Sequence, residues 1–300
     1  MHFSFDYIIQ QVINGIGLGS MYALIAIGYT IVYGILRLIN FAHGEVLMVG
    51  TYTALGVFGH LFLPFYLAII MSIAAAILIG ITIERLAYRP VRGTTEETTL
   101  ITSFAVSIMI QNLAIMIFSP QAKAFPTPAY LQKIVNIGGI TFSSMTIVII
   151  VLTTIILTAL TIFIKKTKLG IAMRASSENM NASVLMGINI NSVVRTAFII
   201  GSALAAIAGI MMAGQYGRVE PMMGFVPGLK AFVAAVIGGV GNIPGAAVGG
   251  LLLGFGEIMF VAILPPEFSS YKDAFVFFVL ILVLLVKPTG LFGAVEDRRV

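Results

Sequence analysis

Three residues able to move protons or hold a polar ligand stand together in "RLINFAHGEVLMVG", Arg37 to Gly50: Asn40, His43 and Glu45. Further on, "IQNLA" offers Gln111 and Asn112, and "GLLLGFGEIMFVAIL" carries Glu257 with no other charge near it in sequence. All six lie in or beside strongly apolar runs. An ionisable side chain at the centre of a bilayer costs at least about 2.5 kcal/mol, so each needs a partner, a water path or an interfacial position. For Glu45 the readings are a carboxylate near the cytoplasmic interface, salt-bridged to Arg37, a helix-packing group inside a bundle, or a direct substrate contact. His43 reads as a hydrogen-bonded packing residue or a proton relay. Gln111 and Asn112 either join helices through their amides or line a pathway. Glu257 is a candidate for a water-lined pathway or a buried pair.

A second signal comes from glycine. "AAVIGGVGNIPGAAVGGLLLGFG" interrupts two apolar elements with Gly238, Gly239, Gly241, Asn242, Pro244 and Gly245. A helix broken inside a membrane frees backbone N–H and C=O groups, which can hold the charged ends of a small solute. The other reading is a tight turn, favoured for Asn242 and Pro244, with Gly249, Gly250, Gly254 and Gly256 allowing close helix contact.

Several chemistries are excluded. No Gly-Lys dipeptide occurs, so the chain lacks the phosphate-cradling loop of an ATPase. His2, His43 and His60 are not at ligand spacing, no H-E-x-x-H exists and cysteine is absent, which leaves no metal site, no disulfide and no thiolate chemistry. A G-x-S-x-G nucleophile turn is missing as well. The expectation is a protein that is not an enzyme and needs no cofactor.

These groups must be positioned by membrane helices. The chain has 300 residues, 59% hydrophobic and only 10% charged, and a bilayer core of about 30 Å takes roughly 20 helical residues to cross. Apolar segments run over 12–35, 46–63, 65–83, 98–117, 145–164, 196–213, 226–240, 245–264 and 274–286. The expected fold is all-α, a polytopic transmembrane bundle of about eight to ten helices with glycine-rich breaks, in a single transmembrane domain over 1–300. The segments at 226–240 and 274–286 are short enough to be tilted, broken or re-entrant. The opening "MHFSFDYIIQ" has neither the basic start nor the cleavage site of a secretory signal, so the first segment is expected to be retained.

In this arrangement Arg37, Arg85, Arg89, Arg92, Lys165, Lys166, Lys168, Arg174, Arg195, Lys287, Arg298 and Arg299 fall on one side, against Lys123, Lys133, Arg218, Lys230 and Lys272 on the other. The richer side is expected to be cytoplasmic, with the N-terminus outside and the C-terminus inside. The net charge of +5 then belongs to cytoplasmic loops rather than to nucleic-acid binding. Pro120, Pro126 and Pro128 keep the external connection from forming one helix, and it is expected to fold against the outer face. "SMYALIAIG" and "SALAAIAG", from Ser20 and Ser202, are faintly alike and each precedes a glycine-containing polar stretch, the pattern of an internal repeat. Within the cytoplasmic loop 165–192, residues 177–186 read as one amphipathic helix ended by Gly187, and apolar Val184, Leu185 and Met186 point to docking on a partner or on the protein itself.

The stretches "GLGSMYALIAIGYTIVYGILRLINFAHGE", "ERLAYRPVR", "GIAMRASSENMNASVLMGIN", "GLKAFVAAVIGGVGNIPGAAVGG" and "LVLLVKPTGLFG" resemble the LivH-type permease subunit of the branched-chain amino acid ABC importers, over about residues 10–293. The resemblance implies a bacterial inner-membrane importer, with a periplasmic or lipid-anchored binding protein delivering substrate to the outer face. It implies a LivM-like second permease and two separate ATP-binding subunits as partners, within membrane lipid. It makes the loop around Arg174, Glu178, Asn179 and Gly187 the coupling segment that enters a groove on the ATPase, although alanine does not follow Glu178 as in other importers. The substrate stays open between leucine-type amino acids, other amino acids and urea or short amides. A self-sufficient secondary transporter or channel, coupled to protons through Glu257, Glu45 or His43, is the competing class.

Overall fold

The computed structural model describes residues 5–293; His2, Arg298 and Arg299 lie outside that range. Among the described residues, seven helices are long and apolar enough to cross a membrane. In chain order the helices are α1 (Phe5–Leu36), α2 (His43–Ala54), α3 (Phe65–Ile83), the single turn α4 (Arg89–Val91), α5 (Glu96–Phe118), α6 (Ser144–Lys166), α7 (Lys168–Glu178), α8 (Met180–Leu185), α9 (Ile190–Tyr216), α10 (Phe225–Gly238), α11 (Ile243–Ile263) and α12 (Lys272–Val286). π-Helical turns extend α2 to His60 and α3 to Tyr88, and a 3-10 turn over Pro266–Tyr271 leads into α12.

Burial sorts these helices into a centre and a rim. The apolar window of α1 is 94% buried and that of α9 72%, against 22% for α6 and 6% for the window over 266–286. With no hydrophobic drive between helices in lipid, the centre must be held by close packing. Small residues provide it where α1 meets α11. A Cβ added at Gly254 would collide with the backbone at Gly19, one at Gly250 with that of Ala23, and one at Gly19 would lie 2.8 Å from the Leu251 backbone.

Two helices are broken at depth. α1 ends at Leu36, Arg37 adopts a left-handed φ of 55°, and the chain turns back before α2 begins. His43, the first residue of α2, lies against Gly28 of α1 and Gly201 of α9. Glu45 is bonded to Ser107, which stands roughly 16 Å along α5 at the helical rise. The start of α2 is therefore in the interior, which fits the bundle-packing reading of Glu45 and His43 rather than the interfacial reading of Glu45. Nor does Arg37 pair with Glu45: its Nη2 donates to the Ser177 carbonyl at 3.4 Å. Hydropathy could not see this, because 12 helical and six π-helical residues look like an ordinary span when depth is unknown.

The same device recurs later. α9 ends at Tyr216, Gly217 takes the left-handed conformation, and α10, only 14 residues long, begins at Phe225. Leu36 and Tyr216, Arg37 and Gly217, Gly44 and Gly224, and Ile83 and Ile263 stand at one constant spacing along the chain. Packing is exchanged in the way a two-fold requires: α1 packs on α10 and α11, while α9 packs on α2 and α3. Since α2, α3, α5 and α6 intervene, α9 runs opposite to α1, so α1–α3 and α9–α11 are inverted repeats. They meet where Gly44 and Gly224 touch through their backbones.

Four short strands cap the end of the bundle at which α1 starts and α9 stops. Lys123–Ala124 pairs with Arg218–Val219, and Ile134–Ile137 pairs with Ile140–Ser143 across Gly138 and Gly139, both at positive φ. The proline-bearing connection is thereby folded onto the bundle, with Phe125 buried and the Thr141 N–H donating to Gln10 Oε1 at 2.9 Å.

The Gly44/Gly224 contact generates a direct test. Gly224→Ala or Gly44→Ala should cost about 3 kcal/mol or more, since the added methyl meets backbone that cannot step aside. Gly56→Ala, where nothing lies within 4 Å, should stay within roughly 0.5 kcal/mol of the parent. Thermal unfolding in detergent, monitored by size exclusion, separates the two; equal stability of Gly224→Ala and Gly56→Ala would remove the contact from the core of the fold.

Candidate functional site

Three polar centres emerge from the residues singled out by sequence. The first is at the start of α2. Glu45 is fully buried in the first helical turn, where the N-terminal dipole favours a carboxylate. Its Oε1 accepts from Gln111 Nε2 at 2.7 Å and from Ser107 Oγ at 3.1 Å. Thr99, Ser103, Ser107 and Gln111 are all buried; four-residue spacing puts them in a line on one face of α5. Asn112 is turned outward, donating to the Ile108 carbonyl at 2.7 Å. The neighbouring amides thus have different fates, as about 100° of rotation per residue dictates. His43 packs edge-on to Tyr29, ring centroids 5.3 Å apart. His43 Nε2 and Glu45 Oε2 have no hydrogen-bond partner among the described residues. Asn40 is held separately, its Oδ1 accepting from the buried Tyr88 hydroxyl at 2.7 Å.

Tyr88 belongs to a face that sequence reasoning missed. Glu84, Tyr88 and Arg92 follow at four-residue spacing in "ERLAYRPVR"; Arg92 pairs with Glu84 at 2.8 Å and donates to Asn191 Oδ1 at 2.8 Å. The spacing was the available signal.

The second centre surrounds Glu257 and is ionic. Lys230 Nζ of α10 lies 2.8 Å from Glu257 Oε1 of α11 and 2.7 Å from Asp273 Oδ1 of α12. The Tyr22 hydroxyl of α1 donates to Glu257 Oε2 at 2.9 Å, and Lys272 Nζ approaches Oε1 at 3.7 Å. Glu257 is thus a buried pair rather than a lone carboxylate. Lys230, assigned above to the external loops, is buried in the bundle instead. Removing it from the external group strengthens the asymmetry of basic residues.

The third centre is at the arginine- and lysine-rich end. Gly238, Gly239, Gly241 and Asn242 form the turn between α10 and α11, with Gly239 and Gly241 at φ 104° and 87°. Its freed carbonyls are not left for a solute. Leu291 N–H donates to Ile237 O at 2.8 Å and Phe292 N–H to Gly238 O at 3.1 Å. Asn242 Oδ1 caps α11 by accepting from Gly245 N–H, while its Nδ2 donates to Phe292 O, both at 2.9 Å. The turn reading therefore prevails for this segment.

The loop over 165–192 also differs from its expected form. Glu178 closes α7, and Asn179, extended at φ −150°, caps α8 by accepting from Ala182 N–H at 2.9 Å. Two helices replace one because an asparagine side chain satisfies the first turn of a new helix at the cost of leaving the old. Gly187 ends the segment at φ 82°. Val184, Leu185 and Met186 are exposed by 55, 87 and 83%. Arg174, Glu178, Gly241 and Asn242 meet around one cleft of about 810 Å³. No cluster of three or more His, Asp or Glu side chains able to hold a metal ion occurs among the described residues.

Comparison with known proteins gives these centres a context. Residues 11–284 match the family model described as branched-chain amino acid transport system / permease component. The high-affinity branched-chain amino acid transport system permease protein BraD of Pseudomonas aeruginosa is 43% identical over 97% of this chain and 98% of its own length. LivH of Escherichia coli, a permease protein of the same description, is 43% identical over 99% of both chains. The solved structure of PsaBC from Streptococcus pneumoniae in complex with Fab overlays with a TM-score of 0.50 over 92% of this chain and 91% of that one; at 11% identity the likeness concerns the fold alone. By the span of the family match and the near-complete alignment with these relatives, the chain belongs to the branched-chain amino acid transport system permease component family.

Proposed function

We propose that this chain is the membrane-spanning permease subunit of an ATP-binding-cassette importer carrying branched-chain amino acids across the bacterial inner membrane. The observation that carries the reading is the near full-length alignment, at 43% identity, with permeases named for that transport. In this reading the chain works with a homologous second permease, two ATP-binding subunits and a periplasmic or lipid-anchored binding protein. The N-terminus is outside and the cation-rich end is cytoplasmic. ATP hydrolysis belongs to the partners, in keeping with a sequence that has no phosphate-cradling loop.

Alternating access supplies the mechanism. Because the repeats exchange partners, the units that can rock against each other are α1 with α10 and α11, and α9 with α2 and α3, which meet along α1 and α9 and at the Gly44/Gly224 contact. α2 and α10 bring two helix N-termini, each with positive partial charge, to the middle of the bundle. Glu45, half satisfied by α5, is the group there with spare accepting capacity for a passing polar solute. Lys230 ties α10 to α1, α11 and α12, so that α10 moves with the helices it packs on, α1 of the other repeat included. The segment 165–192 is the coupling element, presenting Val184, Leu185 and Met186 to a groove on the ATPase, with Arg174, Glu178, Asn179 and Gly187 shaping it.

Reconstitution of the chain with all its partners should give leucine uptake that requires ATP and the binding protein; uptake by this chain alone, driven by a pH gradient, would sink the reading. Glu178→Lys should abolish ATP-coupled uptake while membrane insertion stays normal, and unimpaired coupling after disruption of residues 176–187 would put the docking element elsewhere. Lys230→Met should destabilise the fold by about 3–5 kcal/mol through an uncompensated Glu257, and Lys230→Met combined with Glu257→Gln should recover a large part of the loss. A double-mutant cycle on unfolding in detergent reads this, and simple additivity of the two changes would deny the pair.

A further inference from the structure

We infer that the cleft at the cation-rich end is a binding site for a phosphate-bearing anion, supplied by an acidic phospholipid headgroup or by free phosphate. At about 810 Å³ the cleft is of a size that holds small ligands. Arg37 projects into it from the end of α1, Lys165 from the end of α6 and Arg174 from α7. The only acid on its wall, among the described residues, is Glu178. Among the described residues none of these four side chains makes an ion pair. Three cations thus converge on one concavity against a single acid, a positive excess among the described residues, and such a field concentrates anions.

The conformation of Arg37 adds an independent observation. It holds a φ of 55°, a region costly for any residue with a Cβ, while Gly217 occupies the corresponding place in the other repeat at φ 69°. Glycine would satisfy the turn in both repeats, so the backbone does not call for arginine at 37. What arginine adds is a guanidinium at the cleft, with a donor fork matched to phosphate oxygens. Among the described residues its guanidinium makes one hydrogen bond, to Ser177 O at 3.4 Å, which is long and leaves the other donors free. The lining also includes the apolar Ile164, Ile243 and Phe292, and α6, on the rim of the bundle, borders the cleft, so an acyl chain can lie beside a bound headgroup.

The site shares α7 with the coupling segment proposed above and takes the cation-rich end to be the cytoplasmic one. Its test needs neither ATPases nor sidedness, so failure here leaves that reading standing. Purified, delipidated full-length chain would be titrated with phosphatidylglycerol, phosphatidylcholine and orthophosphate, and bound species counted by native mass spectrometry. Preferential retention of phosphatidylglycerol over phosphatidylcholine identifies the lipid as the source, and retention of orthophosphate the free anion. In either case Arg37→Gly and Arg174→Gln should each weaken binding roughly fivefold, the effect of one basic residue at an anionic surface. Arg37→Gly suits the left-handed backbone and should fold at least as well as the parent. Affinity unchanged in both variants, or a parent chain that binds neither phosphatidylglycerol preferentially nor orthophosphate, would overturn the proposal.

Discussion

The contact between Gly44 and Gly224 is the constraint on which the rest of the bundle depends. Lipid cannot satisfy free backbone groups, so a helix may start at mid-depth only where protein closes around it. Two helices do so here, and each would expose a first turn of unpaired N–H groups unless something packed directly on it. Having no Cβ on either side lets the two chain reversals abut, so each start shields the other. His43 can then occupy the notch between Gly28 and Gly201, and Glu45 is brought against α5 rather than into lipid. The two repeats could not approach this closely if either position carried a side chain.

Charge placement follows from that geometry. A lone ion at this depth costs a few kcal/mol, and two solutions are visible. Lys230 pairs with Glu257 and Asp273 across three helices, Lys272 brings the second positive charge, and the Tyr22 hydroxyl donates to the other Glu257 oxygen. Such a network adds little net stability over apolar packing of equal volume, because desolvation consumes most of the attraction. Its physical consequence is registry: α10 has one position in which all partners are reached. Glu45 is treated differently, with two neutral donors on one oxygen and a helix N-terminus nearby. The ionic centre fixes geometry, whereas the Glu45 centre keeps unused hydrogen-bonding capacity.

Most of the crossing helices were legible in the sequence, because about 20 apolar residues in a row have few other uses. Depth was not. Arg37 to Glu45 has the composition of a cytoplasmic elbow, and only the pairing of Gly44 with Gly224, distant in sequence, turns it inward. Lys230 was counted as an external cation for a related reason, since a single lysine near glycines gives no sign of carboxylates reaching it from α11 and α12. Local chemistry read better: Asn242 as a turn residue, Glu257 as a group needing a partner, and Gly187 as a helix stop. The line Ser103, Ser107, Gln111 was present as a four-residue spacing yet hidden, because serine seldom signals function in a membrane helix. Asn179 shows the converse, a polar residue whose capping strength divides a segment that periodicity joins.

Arg37 links these levels. It ends α1, bonds to the carbonyl of Ser177 one residue before Glu178, and stands six residues ahead of His43. The chain from Arg37 to Ala42 therefore connects the hydrogen bond on Ser177 of α7 with the Gly44/Gly224 contact. It is also strained at its first residue, and strain of this kind persists only where surrounding structure holds it in place. The corresponding loop of the other repeat begins with a glycine and carries no such strain, so the two-fold symmetry of the backbone is broken chemically at one residue. That asymmetry lies at the end where α7 packs, which makes the α1–α2 reversal the one of the two whose conformation can respond to what happens at α7.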